Sequence, residues 1–177
     1  MEPKNKSLST KAYELAYKYE AEQGSCPQAV LSAIYETLNL GDPKTIQAAD
    51  GLAGGTALSN KGTCGALVGG ILAIGAIVGR TYQDFSEGKR KRRVFQYAKN
   101  LLDRFEEQYP GPLCHEVQKN LFGRSYVLSN PKEYELFEKA GAHIDKCPSV
   151  AGNVAKWTVE ILIPLIKEKN KIQNLNH

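Results

Sequence analysis

The sequence predicts an all-α fold, and three observations point there. Apolar residues recur at spacings of three and four along most of the 177-residue chain, the period of a helix face. Glycines and prolines stand between these runs as stop and start signals. No segment alternates apolar and polar residues as a half-buried strand would. The expectation is a compact multi-helix domain of about seven or eight helices around a central glycine/alanine-rich helix.

Residues 9–22 place Tyr13, Ala16, Tyr17 and Glu20 at helical spacing, and Gly24 ends that helix. Ser25-Cys26-Pro27 opens the next, with Val30, Ala33, Ile34, Thr37 and Leu38 on one face. Asp42-Pro43 starts a short helix to about Ala49, and a glycine-rich link follows from Asp50 to Gly62. The central stretch, Gly62 to Gly79, carries no charged side chain. Gly65, Gly69 and Ala73 recur in it at spacing four, followed by Gly75 and Gly79. So much glycine costs helix propensity, about 1 kcal/mol each, and marks a helix that other backbones approach closely. The stretch nears the length of a bilayer span, but its glycine content favours a buried core helix.

After Gly88, Val94, Ala98, Leu101 and Phe105 mark another helix, which ends at Tyr109-Pro110. Leu113-Cys114-His115 starts a shorter one terminated by Gly123, and Asn130-Pro131 begins one that reaches about Ala140. Lys146-Cys147-Pro148 opens the last long helix, which Pro164 should kink or end, leaving a fraying tail after Ile166. The organisation expected is a helical extension over residues 1–22, a four-cysteine domain over 23–166 and a polar tail over 167–177.

Composition narrows the classes. An apolar fraction of 42% and a charged fraction of 24% are those of a globular protein, and a net charge of +4 singles out no partner. Met1 to Lys6 lacks the apolar core of a signal peptide, which makes a cytoplasmic location the expectation. Four cysteines in that compartment read as metal ligands or redox thiols rather than a disulfide framework.

The cysteines share a position. Cys26, Cys64, Cys114 and Cys147 each fall at the cap or in the first turn of a predicted helix. Helix N-termini favour thiolate, the form that both metal coordination and disulfide exchange require. The four are therefore the candidate site, as ligands if a metal is present and as redox thiols if not. Gly65 and Gly69 would provide close backbone packing beside it. His115 diverges from Cys114 on the helix surface, and His143 precedes Cys147 in a predicted loop; neither is expected as a ligand.

Other motifs carry less. Gly55 to Gly62 faintly resembles a phosphate loop, but Asn60 and Gly62 replace required residues. Lys119 occupies the second histidine position of a zinc-protease motif after His115-Glu116. The absence of Cys-x-x-Cys-His excludes covalent c-type haem, and the absence of Cys-x-x-Cys argues against a thioredoxin-like site or a zinc ribbon. The basic run Lys89-Arg90-Lys91-Arg92-Arg93 reads as a solvated helix start, and Arg80 with Asp84 as a surface pair. No nucleic-acid motif accompanies the run, so nucleic acid is not the favoured partner.

The pieces Cys26-Pro27-Gln28-Ala29-Val30-Leu31, Gly51-Leu52-Ala53-Gly54-Gly55 and Thr63-Cys64-Gly65-Ala66-Leu67-Val68-Gly69-Gly70, with Leu113-Cys114-His115-Glu116 and Lys146-Cys147-Pro148, resemble the C-GCAxxG-C-C family of redox-active proteins. The motif reads Cys-Gly-Ala-x-x-Gly here, so the family's letter order is not literally reproduced. The resemblance implies a small helical protein with four functional cysteines and a redox role. Family members lie among transport genes, which implies a link to a membrane transport system, and a related domain occurs with haem in a cytochrome. The residues leave three functions open. The cysteines could bind one cofactor, an iron–sulfur cluster first and zinc second, for electron transfer. They could act without metal in thiol/disulfide exchange. The chain could instead be a non-redox binding module using the 89–93 run. The redox partner is unnamed by the sequence, whether the chain is an enzyme is open, and a homodimer is compatible with it.

Overall fold

The computed structural model describes residues 7–175; Met1 to Lys6, read above for a signal peptide, and the last two residues of the expected tail lie outside them. Among the described residues 73% are helical and none forms a strand. In chain order the helices are α1 (Leu8–Gln23), α2 (Cys26–Leu38), α3 (Pro43–Ala49), α4 (Gly65–Val78), α5 (Tyr82–Ser86), α6 (Arg93–Gln108), α7 (Cys114–Phe122), α8 (Pro131–Lys139) and α9 (Cys147–Leu175). A 3₁₀ turn (Asp50–Leu52) follows α3, and a π turn (Ala142–Lys146) leads directly into α9.

Local chemistry sets most of these limits. The Ser7, Asp42 and Asn130 side chains accept from the first-turn amides of α1, α3 and α8. Proline occupies the first turn of α2, α3 and α8, where its missing N–H costs nothing. Gly123 ends α7 at φ +75°, a left-handed conformation that suits glycine.

The long α9 is the axis of the bundle: α1, α2, α4 and α6 all pack on it. Leu31, Ile34, Leu67, Leu101, Phe105 and Leu162 are fully buried in the core they share. A smaller cluster of Tyr126, Leu128, Phe137 and Ala142 lies beside it, with Cys147 packed against it. α1 is fully integrated into the main core: Ala12, Ala16 and Glu20, four residues apart, are each 0% exposed.

Close approach at the central helix is real and one-sided. A Cβ on Gly69 would lie 2.7 Å from the Pro27 carbonyl oxygen, and one on Gly65 would lie 2.9 Å from Pro27 Cδ. These two glycines let α2 seat on α4. Gly70, on another face, meets Leu101, Val154 and Thr158 of α6 and α9. Gly75 faces nothing within 4 Å and is no part of the contact face. α4 has 14 residues, about 21 Å at 1.5 Å per residue, short of the roughly 30 Å hydrocarbon core of a bilayer. The stretch Ala142–Glu168 is long and apolar enough for that test, and half of its apolar window is buried against the other helices.

Two expectations need correction. Of the two outcomes expected at Pro164, a kink or an end, the end does not occur: the helix continues through the expected fraying segment to Leu175. Cys147 opens α9 as expected, and the preceding π turn runs directly into it, the Cys147 N–H bonding the Ala142 carbonyl. Arg80 and Asp84 do not form the expected pair: Asp84 closes a capping box with Thr81 and pairs with Lys91, while Arg80 lies over the Phe85 ring. That capping box also makes the short α5, which the sequence reading passed over.

The glycine contacts predict opposite outcomes on one helix. Gly69→Leu should destabilise the fold by about 1–3 kcal/mol or more through overpacking. Gly75→Ala should raise stability by up to roughly 1 kcal/mol, because it adds helix propensity where space is open. Urea denaturation of both variants measures the contrast; equal effects would mean that α2 does not seat on Gly69.

Candidate functional site

The four cysteines come from four helix starts. Cys26 is the first residue of α2, Cys64 the N-cap of α4, Cys114 the first residue of α7 and Cys147 the first of α9. All four are free thiols, and all four line one cavity of about 160 Å³. That volume is far above the roughly 10–15 Å³ a single water needs.

One short turn and one backbone bridge bring the thiols together. Gly24 at φ +68° and Ser25 at φ +57° reverse the chain between α1 and α2, so the end of α1 faces the start of α2. A single antiparallel bridge, Thr63 to Leu113, does the same for α4 and α7: Cys64 N–H donates to the Pro112 carbonyl at 2.7 Å, and Cys114 N–H donates to the Gly62 carbonyl at 2.9 Å. Gly65 then sets α4 against α2, since a Cβ there would lie 3.3 Å from Cys26 Sγ.

The glycine-rich link works as the frame of the site. Gly54, Gly55, Thr56, Ala57 and Leu58 all have positive φ, a left-handed turn in which each non-glycine residue carries strain. Gly55 is doubly constrained: its φ is +72°, and a Cβ there would meet Cys114 Cβ at 2.6 Å. Asn60 ties the link to its surroundings, its Nδ2 donating to the Tyr126 carbonyl at 2.7 Å and its own carbonyl accepting the His115 N–H at 3.0 Å. His115 Nδ1 lies 3.3 Å from the same carbonyl, so His115 serves the frame. Gly65 and Gly69 likewise act on helix packing, and neither lines the cavity.

Sequence reasoning missed much of the cavity wall. Glu20 from α1 lines it at 0% exposure, and neither carboxyl oxygen has a hydrogen-bond partner in the protein. His143 lines it too; its Nε2 stands 3.7 Å from Glu20 Oε1, and its Nδ1 pairs with Glu138 at 2.6 Å. Gln118, one turn after Cys114, points Nε2 at Cys114 Sγ at 3.6 Å and accepts the Tyr126 N–H through Oε1. Glu20 shares a helix face with Ala12 and Ala16, a charged residue in an apolar register, and that was its legible signal. His143 had none, because the π turn that orients it has no sequence signature.

Electrostatics reverse one expectation. The amides of Ala66 and Leu67 at the start of α4 do favour the Cys64 thiolate, as helix ends should, but burial outweighs them and pushes the thiol up to about 11. Burial takes Cys114 up to about 12 and raises Cys26 and Cys147 well above the ordinary thiol range. Negative charge on Glu20 or on the neighbouring cysteines would push each of these last two higher still. Glu20 itself is raised to about 7, first by burial, with the Cys26 thiol beside it a partial offset.

Among the described residues no three Cys, His, Asp or Glu side chains stand close enough to clasp one metal ion. The four thiols lie along the wall of the cavity instead.

Fold and site together define a helical protein with four cysteines around one cavity. The chain belongs to the family described as "Putative redox-active protein (C_GCAxxG_C_C)", whose profile matches residues 4–161. The match takes in α1 as well as all four cysteine segments. No curated protein and no solved structure matches the chain.

Raised thiol pKa values predict slow alkylation. At pH 8 iodoacetamide should modify the native metal-free protein much more slowly than the urea-unfolded chain, whose thiols titrate near 8.5. The native rate should still be climbing at pH 10, below the values of about 11 and 12 for Cys64 and Cys114. By linkage, the stability these buried thiols contribute is complete below the unfolded value near 8.5 and falls as pH rises toward the folded values. A native rate that levels off below pH 8 would contradict the burial of the thiols.

Proposed function

We propose that this chain is an electron-transfer protein that binds an iron–sulfur cluster through Cys26, Cys64, Cys114 and Cys147. The observation that carries the reading is the meeting of four thiols, 38, 50 and 33 residues apart in the sequence, on the wall of one cavity. A bound cluster supplies one-electron chemistry; the protein's own part is to hold and shield it. Thiolate ligation fits the donor set, since coordination deprotonates a thiol outright and replaces the charge balance that burial denies. The apolar wall, with Val117, Leu121, Leu128 and Phe137, limits water around the sulfurs. Gln118 fixes Cys114 from within its own helix.

Two alternatives are less well supported. Zinc takes four donors at about 2.0–2.3 Å from one point, and the thiols are not gathered that closely. Metal-free exchange is fastest for an accessible thiol with a pKa near ambient pH, and burial moves these thiols away from it.

Anaerobically purified protein should be coloured and should contain iron and acid-labile sulfide in comparable amounts. Replacing any one of the four cysteines by serine should lower both together. Protein that is colourless and holds zinc alone, or that forms reversible disulfides without iron, would overturn the cluster reading in favour of the corresponding alternative.

A further inference from the structure

We propose that Glu20 is a fifth contact to the cluster, a carboxyl oxygen binding one of its irons and so governing how firmly the cluster is held. The inference rests on the cluster reading and assigns a residue that no cysteine motif contains.

The argument begins with helix register. Ala12, Ala16 and Glu20 form one fully buried stripe of α1, packed toward α2 and α9. A leucine in the third position would continue the apolar face; the sequence has a carboxyl group instead. A buried carboxyl is ordinarily paired or hydrogen-bonded. Both oxygens of Glu20 lack a hydrogen-bond partner, and neither lysine nor arginine lines the cavity. His143 borders it at 3.7 Å, beyond hydrogen-bonding distance, with its other ring nitrogen engaged by Glu138. The Cys26 thiol beside it is a weak donor. The unmet bonding capacity of Glu20 therefore lies on the wall of the thiol cavity, next to a sulfur assigned to the cluster.

The chain reversal at Gly24 and Ser25 makes this placement specific. It turns the last turns of α1 onto the first residue of α2, so Glu20 and Cys26 are delivered to the cavity as one unit. The protein neighbours of the Glu20 carboxyl are the Cys26 thiol and His143 at 3.7 Å, neither a strong donor bonded to it, which leaves the carboxyl available to whatever the thiols hold.

The test uses wild-type protein and the variants Glu20→Leu, Glu20→Asp and Glu20→Gln, each loaded anaerobically with ferrous iron and inorganic sulfide at one pH. Melting temperature of the metal-free protein, iron and sulfide content, rate of iron loss to a chelator and midpoint potential are measured. Glu20→Leu should melt at or above wild type when metal-free yet lose iron about tenfold or more faster, the scale of a lost supporting contact at a metal site. Its potential should move from the wild-type value. Glu20→Asp, which withdraws the carboxyl by one methylene, should also lose iron faster. Glu20→Gln keeps the shape but offers a neutral amide, a much poorer iron ligand, and should also lose iron faster; wild-type retention in this variant would overturn the iron contact. If wild type takes up iron and sulfide while Glu20→Leu and Glu20→Asp match its retention and potential, the contact is wrong and the cluster reading stands. If metal-free Glu20→Leu and Glu20→Asp both fail to fold, Glu20 is a structural group and the proposal falls. Wild type that takes up neither iron nor sulfide overturns the cluster reading, and this inference with it.

Discussion

The bridge between Thr63 and Leu113 is the contact on which the site depends. Two backbone hydrogen bonds, Cys64 N–H to Pro112 and Cys114 N–H to Gly62, hold together segments that belong to different parts of the bundle. Each bond uses the amide of a cysteine, so thiol position and backbone pairing are one constraint. The left-handed turn at Gly54 to Leu58 has its meaning here. It carries strain, and what it gains is a backbone near enough to Cys114 to leave no room for a Cβ at Gly55. Strain at this turn is offset by Asn60, which links it to the residues before α8 and to the start of α7.

Much of this was legible from residue pattern. Helix limits at Gly24, Pro43, Gly123 and Pro131 follow from turn and cap chemistry, which acts over a few residues and so appears in the sequence. The cysteines at helix starts were readable for the same reason, and Gly65 and Gly69 announced a close contact by their spacing. The partners were not readable. That Gly69 meets Pro27 while Gly75 meets open space depends on where α2 lies, a tertiary fact without a local signature. The π turn before Cys147 and the passage of α9 through Pro164 are also set by packing, since neighbouring helices can support backbone that local propensity disfavours.

The electrostatic lesson is one of competing magnitudes. Helix-end amides act on Cys64 in the expected direction, yet removal from water acts on the same thiol more strongly. The helix dipole is a surface-scale effect of a fraction of a kcal/mol up to about 2 kcal/mol, while desolvation of a fully buried group shifts a pKa by several units. Reading a helix N-terminus as a thiolate site therefore requires knowing how deeply it is buried, and sequence does not carry that depth.

The order in which the thiols occur along the chain bears on when the site can exist. Cys26 heads the second helix and Cys147 the last, and α9 is the axis on which α1, α2, α4 and α6 rest. During synthesis the first three thiols leave the ribosome before the helix that sets their positions. On that partial chain the three thiols are not yet arranged around one cavity. The four-thiol cavity is thus complete only once the bundle closes around α9.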